Sequence, residues 1–137
     1  MTVTIEALNQ HGVGKFPGLL GLVITRSEGA EIEAEFPVRA ELMAPNGFLH
    51  AGSIVTLADT ACGYGCYANL PQGATGFTTL ELKSNHLGTT TDGTVACLAK
   101  ATHRGRTTQV WDAVVTHKES NKTIALFRCT QMILYPK

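Results

Sequence analysis

The segment that most constrains the fold is a helix-forming stretch at residues 50–69, which is apolar on nearly all sides. A Pro-Asn-Gly turn at residues 45–47 precedes it, and a second turn with proline and glycine at residues 71–73 ends it. A helix with so little polar surface has to be covered by other elements of the fold. Its one carboxylate, Asp59, has apolar neighbours, and a buried charge is costly unless it has a partner or a function.

Strand-like segments lie on both sides of this helix in the sequence. Short polar turns join the segments that follow it, and such short links favour antiparallel neighbours, so we expect these strands to form a meander. The sequence therefore predicts an α+β fold in which one antiparallel sheet wraps the central helix. The predicted strands are residues 22–27 and 31–36, joined by a Glu28-Gly29-Ala30 turn, and then 76–86, 93–103, 107–117 and 123–135. A short helix is predicted at residues 5–10 and an apolar loop at residues 15–21. The strand at 31–36 alternates between apolar residues and glutamates, so we expect one of its faces to be buried and the other exposed.

The composition suits one domain spanning residues 1–137, long enough to bury a core. Apolar residues make up 44% of the chain and charged residues only 16%. A surface with so few charges indicates that another subunit covers part of it. The chain has 11 basic and 11 acidic residues and no basic run, which disfavours binding to nucleic acid.

The first eleven residues lack the basic and apolar regions of a signal peptide. No apolar run approaches the ~20 residues that span a bilayer, so we expect no membrane insertion and a cytoplasmic location. The four cysteines do not form the CxxC pair of a zinc or redox site, and we interpret them as buried thiols. We expect no metal and no other cofactor. The cysteines are Cys62, Cys66, Cys97 and Cys129.

Three interpretations of Asp59 remain open from the residues alone. It is a structural partner in the core, a metal ligand, or a general base or nucleophile. A metal site needs further converging ligands, and the spacings around Asp59 offer none of the usual ones. Catalysis is the interpretation that we favour.

Helix geometry adds a constraint on a catalytic Asp59. The amides at the helix start, Ala51 and Gly52, lie on the order of 10–12 Å from Asp59 at ~1.5 Å rise per residue. One reacting carbonyl cannot lie ~3 Å from both a helix-start amide and that carboxylate on the same helix. If both groups act on one substrate, they come from two copies of the helix. The sequence therefore predicts a site between two subunits whose helices lie side by side and antiparallel.

The run NGFLHAG at residues 46–52, followed by Leu57-Ala58-Asp59, resembles the hotdog-fold acyl-CoA thioesterases. The nearer branch includes the phenylacetate-degradation and 4-hydroxybenzoyl-CoA thioesterases. That family has an HGG motif at the helix start and an acidic residue nine positions after the histidine, a spacing that His50 and Asp59 reproduce. The segment 79–86 is similar to the third strand of that family. The segment 103–115 is similar to the turn between its fourth and fifth strands.

The resemblance implies a site for thioester hydrolysis. In it, Asp59 attacks the thioester carbonyl or activates water, and the Ala51 N–H at the helix start beside Gly52 stabilises the oxyanion. His50 holds the turn or contacts the thioester, and Thr79 orients the water. It also implies an acyl-CoA substrate and a homodimer, or a tetramer of two dimers, with sites between subunits.

Two positions depart from the family pattern. Ala51 replaces the second motif residue, a glycine, which keeps the backbone donor but narrows the approach. Ala44 lies where the family commonly has an Asn or Gln that polarises the thioester, so Asn46 either takes that role or is a plain turn residue.

Two arginines around Gly105, Arg104 and Arg106, are either solvated turn charges or contacts to the phosphates of CoA. Lys83 and His86 are further candidates for CoA binding. The apolar residues 16–20 either line the acyl pocket or pack in the core. Two other functions remain possible for this fold, a non-hydrolytic acyl-CoA or acyl-carrier binding protein, and a hotdog hydratase or dehydratase.

Overall fold

The computed structural model describes residues 3–137, so Met1 and Thr2 of the predicted domain 1–137 lie outside the described residues. Three helices and six strands follow one another, with a turn of 3-10 helix, Ala40–Leu42, before the third helix. The central helix and five of the strands lie within one or two residues of their predicted bounds, and the strand at residues 76–86 has the bounds that were predicted for it. The elements are α1 Ile5–His11, α2 Phe16–Leu20, β1 Val23–Glu28, β2 Glu31–Pro37, α3 Ala51–Ala68, β3 Gly76–His86, β4 Thr94–Arg104, β5 Thr108–His117 and β6 Lys122–Leu134.

The six strands form one antiparallel sheet in the order β1-β2-β4-β5-β6-β3, and α3 packs against its inner face. This confirms the predicted α+β fold. The β1–β2 hairpin is also confirmed, since Glu28 pairs with Glu31 across a turn in which Gly29 has φ +57°. Ile32 and its alternate neighbours on β2 are buried, whereas the intervening glutamates are partly exposed, as the alternation predicted.

The predicted four-stranded meander is wrong in one strand. β4, β5 and β6 do form a meander, but β3 pairs with β6 at the sheet edge and not with β4. Three strand spacings separate β3 from β4, about 14 Å. The link at residues 87–93 can cover this because seven extended residues span up to ~23–25 Å. It crosses the start of α3, where the Leu49 N–H donates to the Thr90 carbonyl.

The predicted loop at residues 15–21 is also wrong, because it contains the one-turn helix α2. Pro17 lies in the first turn of this helix, where its missing N–H costs nothing. Gly21 ends the helix in the left-handed conformation at φ +82°, and its N–H donates to the Gly18 carbonyl. The proline and glycine that predicted a loop are the start and stop signals of a short helix.

The glycines inside α3 allow close packing against the sheet. A Cβ atom on Gly65 would lie 2.5 Å from the Trp111 ring, and one on Gly63 would lie 3.2 Å from Cζ of Phe77. Trp111 is fully buried and donates its Nε1 hydrogen to Oε1 of Gln109. The helix therefore lies directly on the aromatic residues of the sheet.

The four cysteines are buried and unbridged, which confirms their interpretation as buried thiols. Within residues 3–137, no helix is both long and apolar enough to cross a membrane.

Candidate active site

The start of α3 is organised by His50, the N-cap residue of the helix. Its Nδ1 accepts a hydrogen bond from the Gly52 N–H at 2.7 Å. A Cβ atom on Gly52 would lie 2.9 Å from this Nδ1, so residue 52 has no room for a side chain unless the imidazole moves. His50 therefore holds the turn, and the Gly52 N–H is already occupied.

The Ala51 N–H is the donor left at the helix start. Within residues 3–137 it has no hydrogen-bond acceptor, and Ala51 is exposed. Helix N-termini favour negative charge because their unpaired N–H groups and the helix dipole are both directed at it. Ala51 thus presents a backbone donor that suits an oxyanion.

Asp59 lies on the partly exposed side of α3, two turns after Ala51. Its Oδ1 atom is fully buried and has no hydrogen-bond partner among the described residues. Burial raises the pKa of this carboxyl group above the ordinary value of 3.8. A carboxylate with a raised pKa is a stronger base, which suits proton transfer near neutral pH.

The rise of α3 separates Ala51 and Asp59 by about 12 Å, since Asp59 comes eight residues after Ala51 at a rise of ~1.5 Å per residue. Both residues belong to the side of α3 that the sheet leaves uncovered, with the partly exposed Val55 between them. Within one subunit the two groups are too far apart to contact one carbonyl.

A cavity of about 430 Å³ opens at the start of α3. Asn46, His50, Ala51 and His86 all line it, so the structure brings these four predicted residues together. Asn46 uses its Oδ1 atom within its own turn, where it accepts the Phe48 N–H at 3.1 Å. Ala44, at the position where the family has an amide, also lines this cavity.

Thr79 lies on the face of β3 that is directed towards α3, because it pairs with the fully buried Gln131. Its hydroxyl donates to Oε1 of Gln131 at 2.7 Å. Two residues earlier Phe77 contacts Gly63, and four residues of helix, about 6 Å, separate Gly63 from Asp59. β3 runs opposite to α3, since Phe77 lies beside Gly63 and His86 lies beside the start of the helix. Two strand residues span ~6.6 Å, so Thr79 lies about level with Asp59.

The sequence matches the family model of the thioesterase superfamily over residues 46–124, which includes α3 with His50, Ala51 and Asp59. The chain belongs to the thioesterase superfamily. The recognition from the sequence is thereby confirmed, and so is the predicted enzyme class, a thioester hydrolase.

Curated relatives of this thioesterase extend over most of the chain. It is 31% identical to the 1,4-dihydroxy-2-naphthoyl-CoA hydrolase of Escherichia coli, over 96% of each chain. It is 31% identical to the proofreading thioesterase EntH of Cronobacter sakazakii, over 88% of this chain and 87% of that one. Among solved structures, a mutant of thioesterase PA1618 from Pseudomonas aeruginosa has a TM-score of 0.92 at 30% identity, covering 98% of this chain and 96% of the other. These neighbours have the hotdog fold, as predicted.

Two of the predicted CoA-binding residues of the thioesterase lie at the opposite end of α3 from His50. Nη1 of Arg104 donates to Oδ1 of Asn69, the C-cap residue of α3, at 3.0 Å. Arg104 and Arg106 line one cavity of about 380 Å³, and the Arg106 guanidinium lies 5.6 Å from the Tyr135 ring centroid. The structure therefore brings the two arginines together near the C-terminal end of α3.

Lys83 and His86 are not brought together with the arginines. Lys83 pairs with Arg128 on the outer face of the sheet and lines a cavity there with Asp112. His86 pairs with the buried Ala125, so it lies on the inner face near the start of α3.

Among residues 3–137, no three His, Cys, Asp or Glu side chains are close enough together to hold a metal ion.

The structure also contains buried polar residues that the sequence analysis did not single out. Gln131 and Gln109 are fully buried, and Gln131 bonds the hydroxyl of Thr79. Both glutamines interrupt an alternating apolar face, Gln131 after Phe127 and Cys129. A polar residue at an inward-facing strand position was the signal that could have identified them.

Proposed function

We propose that this thioesterase hydrolyses an acyl-CoA at a site shared by two subunits. Asp59 of one subunit is the general base or nucleophile, and the Ala51 N–H of the other is the oxyanion donor. The observation that carries this proposal is the 12 Å that eight residues of helix place between the two groups, at ~1.5 Å per residue. The name of the E. coli relative, a CoA hydrolase, supports CoA as the leaving group.

In the general-base route, Asp59 takes a proton from a water molecule while the oxygen of that water attacks the thioester carbonyl. The carbonyl oxygen becomes an oxyanion, which accepts the Ala51 N–H and is stabilised by the helix dipole. The tetrahedral intermediate then collapses, the C–S bond breaks, and the CoA thiolate takes the proton held by Asp59, which restores the carboxylate. In the nucleophilic route, the Asp59 carboxylate attacks the thioester carbonyl first, the C–S bond breaks and CoA leaves as the thiolate. Water then hydrolyses the resulting anhydride, which frees the acid and Asp59 and supplies the proton that the thiolate takes.

The neighbouring residues have supporting roles in this proposal. His50 caps the helix through the Gly52 N–H and thereby fixes the direction of the Ala51 N–H. The Thr79 hydroxyl donates to Gln131, so its oxygen accepts a hydrogen from the attacking water. Asn46 and His86 contact the thioester or the pantetheine arm in the cavity that they line.

The edge strand β3 supports the association of two subunits. It is an eleven-residue edge on which Leu80 is 52% exposed and Leu82 is 42% exposed, and a long edge with exposed apolar side chains is normally covered by another element or chain. In a two-fold dimer, a strand of this kind pairs with the same strand of its partner in antiparallel orientation. That pairing also places the two α3 helices side by side and antiparallel. We propose this dimer, alone or as half of a tetramer, as the active unit.

The arginine pair supports a position for the CoA phosphates. Asn69, which bonds Arg104, lies ten residues after Asp59, about 15 Å along α3. An extended phosphopantetheine arm covers a distance of this order between the thioester sulfur and the phosphates. We therefore assign Arg104 and Arg106 to the CoA phosphates, whereas Lys83 on the outer face plays at most a peripheral role.

The Asp59→Asn variant tests the proposed function. With acyl-CoA esters, release of free thiol should fall about 10²–10⁴-fold, the usual contribution of general acid–base catalysis. The Asp112→Asn variant changes a carboxylate on the outer face and should retain activity. Turnover of several acyl-CoA esters by Asp59→Asn at the wild-type rate would contradict the proposal.

A second candidate, a binding protein without turnover, is favoured only by Ala44, which lines the cavity where the family has a polarising amide. Calorimetric binding of acyl-CoA without thiol release would support this candidate. The cytoplasmic location, the tetramer and the single domain over residues 1–137 remain predictions from the sequence.

A further inference from the structure

A second cavity lies on the other side of His50, between α2 and the first turns of α3. Its volume is about 470 Å³, within the range usual for small-molecule sites. Its apolar wall comes from Phe16, Leu19 and Met43, and its helix side comes from His50, Gly52 and Thr56.

The wall of this cavity exposes large apolar side chains. Phe16 is 63% exposed and Leu19 is 68% exposed, although they lie on one turn of the same short helix. Adjacent exposed apolar side chains around a concave surface are typical of a site that an apolar group covers. Hydration of this surface is unfavourable, and an apolar ligand would remove it from water.

The cavity adjoins the one at the start of α3. His50 lines both this cavity and the one that holds Asn46 and His86. Gly52 is the neighbour of Ala51, and Thr56 lies one helical turn beyond Gly52, about 6 Å further along α3. A thioester whose carbonyl oxygen accepts the Ala51 N–H can therefore direct its acyl chain past Gly52 into this cavity.

The wall is held firmly in place. The Arg39 guanidinium donates to the carbonyls of Leu19 and Leu20, the latter at 2.8 Å. A Cβ atom on Gly18 would lie 2.3 Å from the Gly12 carbonyl oxygen, so α2 packs directly on the backbone before it. A site held in this way loses little conformational entropy on binding, which favours discrimination by shape.

We propose that Phe16 and Leu19 form the wall of the acyl pocket and select thioesters with a bulky apolar acyl group over acetyl esters. Phe16 and Leu19 are the specificity-determining residues of this proposal. This inference rests on the proposed function. The selecting residues lie outside the stretch that matches the family model, residues 46–124, so relatives with the same catalytic helix can differ in selectivity here.

Steady-state kinetics with acetyl-, hexanoyl- and benzoyl-CoA test the proposal. The Phe16→Ala and Leu19→Ala variants should lower kcat/KM for the two larger esters about tenfold or more, the effect of lost apolar contacts in a pocket, mostly through KM. Acetyl-CoA should change less than about twofold, because its methyl group does not reach the wall. Leu19→Trp should exclude benzoyl-CoA and spare acetyl-CoA. Val13→Ala is the matched control, since Val13 is also 63% exposed but does not line the cavity.

Equal losses for all three esters, or no loss for any, would overturn the proposal. Conversion of the Phe16→Ala variant to a monomer would overturn it too, because the wall would then be a subunit contact. If the wild type releases no thiol from any ester, the proposed function fails, and binding of a non-hydrolysable hexyl-CoA thioether decides the inference separately. Weaker binding of that thioether by Phe16→Ala, but not by Val13→Ala, supports the acyl pocket, and equal binding by all three proteins rejects it.

Discussion

At the scale of single residues, Asp59 combines a cost to folding with a proposed role in catalysis. Its Oδ1 atom is buried without a partner in the described part of the chain, and burial raises the pKa of the carboxyl group. The folded protein therefore binds a proton at Asp59 at pH values where the unfolded chain has released it. The free energy of unfolding falls as the pH rises from about 3.8 to the folded pKa, and this loss persists at higher pH.

The Asp59→Asn variant should therefore be more stable than the wild type at neutral pH, because an amide avoids the cost of burying a charge. The difference should shrink as the pH falls through the folded pKa and disappear well below 3.8, where the wild-type carboxyl group is protonated in both states. Urea unfolding at several pH values measures it. Asp112→Asn is a control of opposite sign, because the hydrogen bonds from Arg128 lower the pKa of Asp112 and its charge is stabilising above that pKa. Lower stability of Asp59→Asn at pH 7 would contradict the prediction.

The Ala51 N–H can be removed without removing the start of the helix. Proline is well tolerated at the first helical position, where its missing N–H has no intrahelical partner. The preceding residue His50 has φ −67° and ψ 135°, a conformation that proline permits before it. Ala51→Pro should therefore lower kcat about 10²–10³-fold, the usual contribution of one oxyanion donor, and leave the far-UV circular dichroism unchanged.

The control for this substitution is Ala51→Gly, which keeps the N–H and should keep most of the activity. If Ala51→Pro retained the kcat of the wild type with an intact helix, the oxyanion donor would have to be another group.

At the scale of elements, the close packing of α3 on the sheet makes Gly65 essential to stability. Alanine at residue 65 would gain about 1 kcal/mol of helix propensity. Its Cβ atom would, however, lie 2.5 Å from the buried Trp111 ring, and overpacking of this kind costs about 1–3 kcal/mol. We expect a net loss of stability in Gly65→Ala by thermal unfolding. Gly76→Ala is the control, since no atom lies within 4 Å of a Cβ atom there, and equal stability of the two variants would contradict the packing argument.

The bounds of most elements follow from local patterns in the sequence. The apolar stretch between two turn signals identified α3, and the alternation of Ile32, Ala34 and Phe36 identified β2. The position of β3 could not be derived in this way. Whether the link at residues 87–93 forms a hairpin or crosses the helix start depends on hydrogen bonds such as Leu49 to Thr90, which no local pattern encodes.

The candidate site was predictable to the extent that it depends on one helix. The spacing of His50 and Asp59 and the rise of α3 were enough to indicate two halves of a site. The sheet face of each strand residue depends on register, so Lys83 and His86 were grouped in the prediction although they lie on opposite faces. The sequence left open whether residues 16–20 line an acyl pocket or pack in the core, because the exposure of Phe16 and Leu19 depends on how α2 packs on the rest of the chain.

At the scale of the whole molecule, one subunit presents an uncovered side of α3, a long edge strand and two cavities around the helix start. These features are consistent with a dimer in which each α3 contributes its first amide to one site and its carboxylate to the other. In that arrangement every site contains Ala51 from one chain and Asp59 from the other. Impairing either residue in every chain removes activity, whereas impairing a different residue in each chain does not.

Mixed dimers test the shared site most directly. Ala51→Pro and Asp59→Asn chains are co-expressed with different affinity tags, and dimers containing one of each are purified. If the sites are shared, one site of each mixed dimer joins an intact Ala51 to an intact Asp59 and the other joins the two substituted residues. Thiol release should then return to about half of the wild-type rate per dimer, since one of two symmetric sites is complete. Mixed dimers as inactive as the two parent variants would show that both groups act within one chain, and would contradict the shared site.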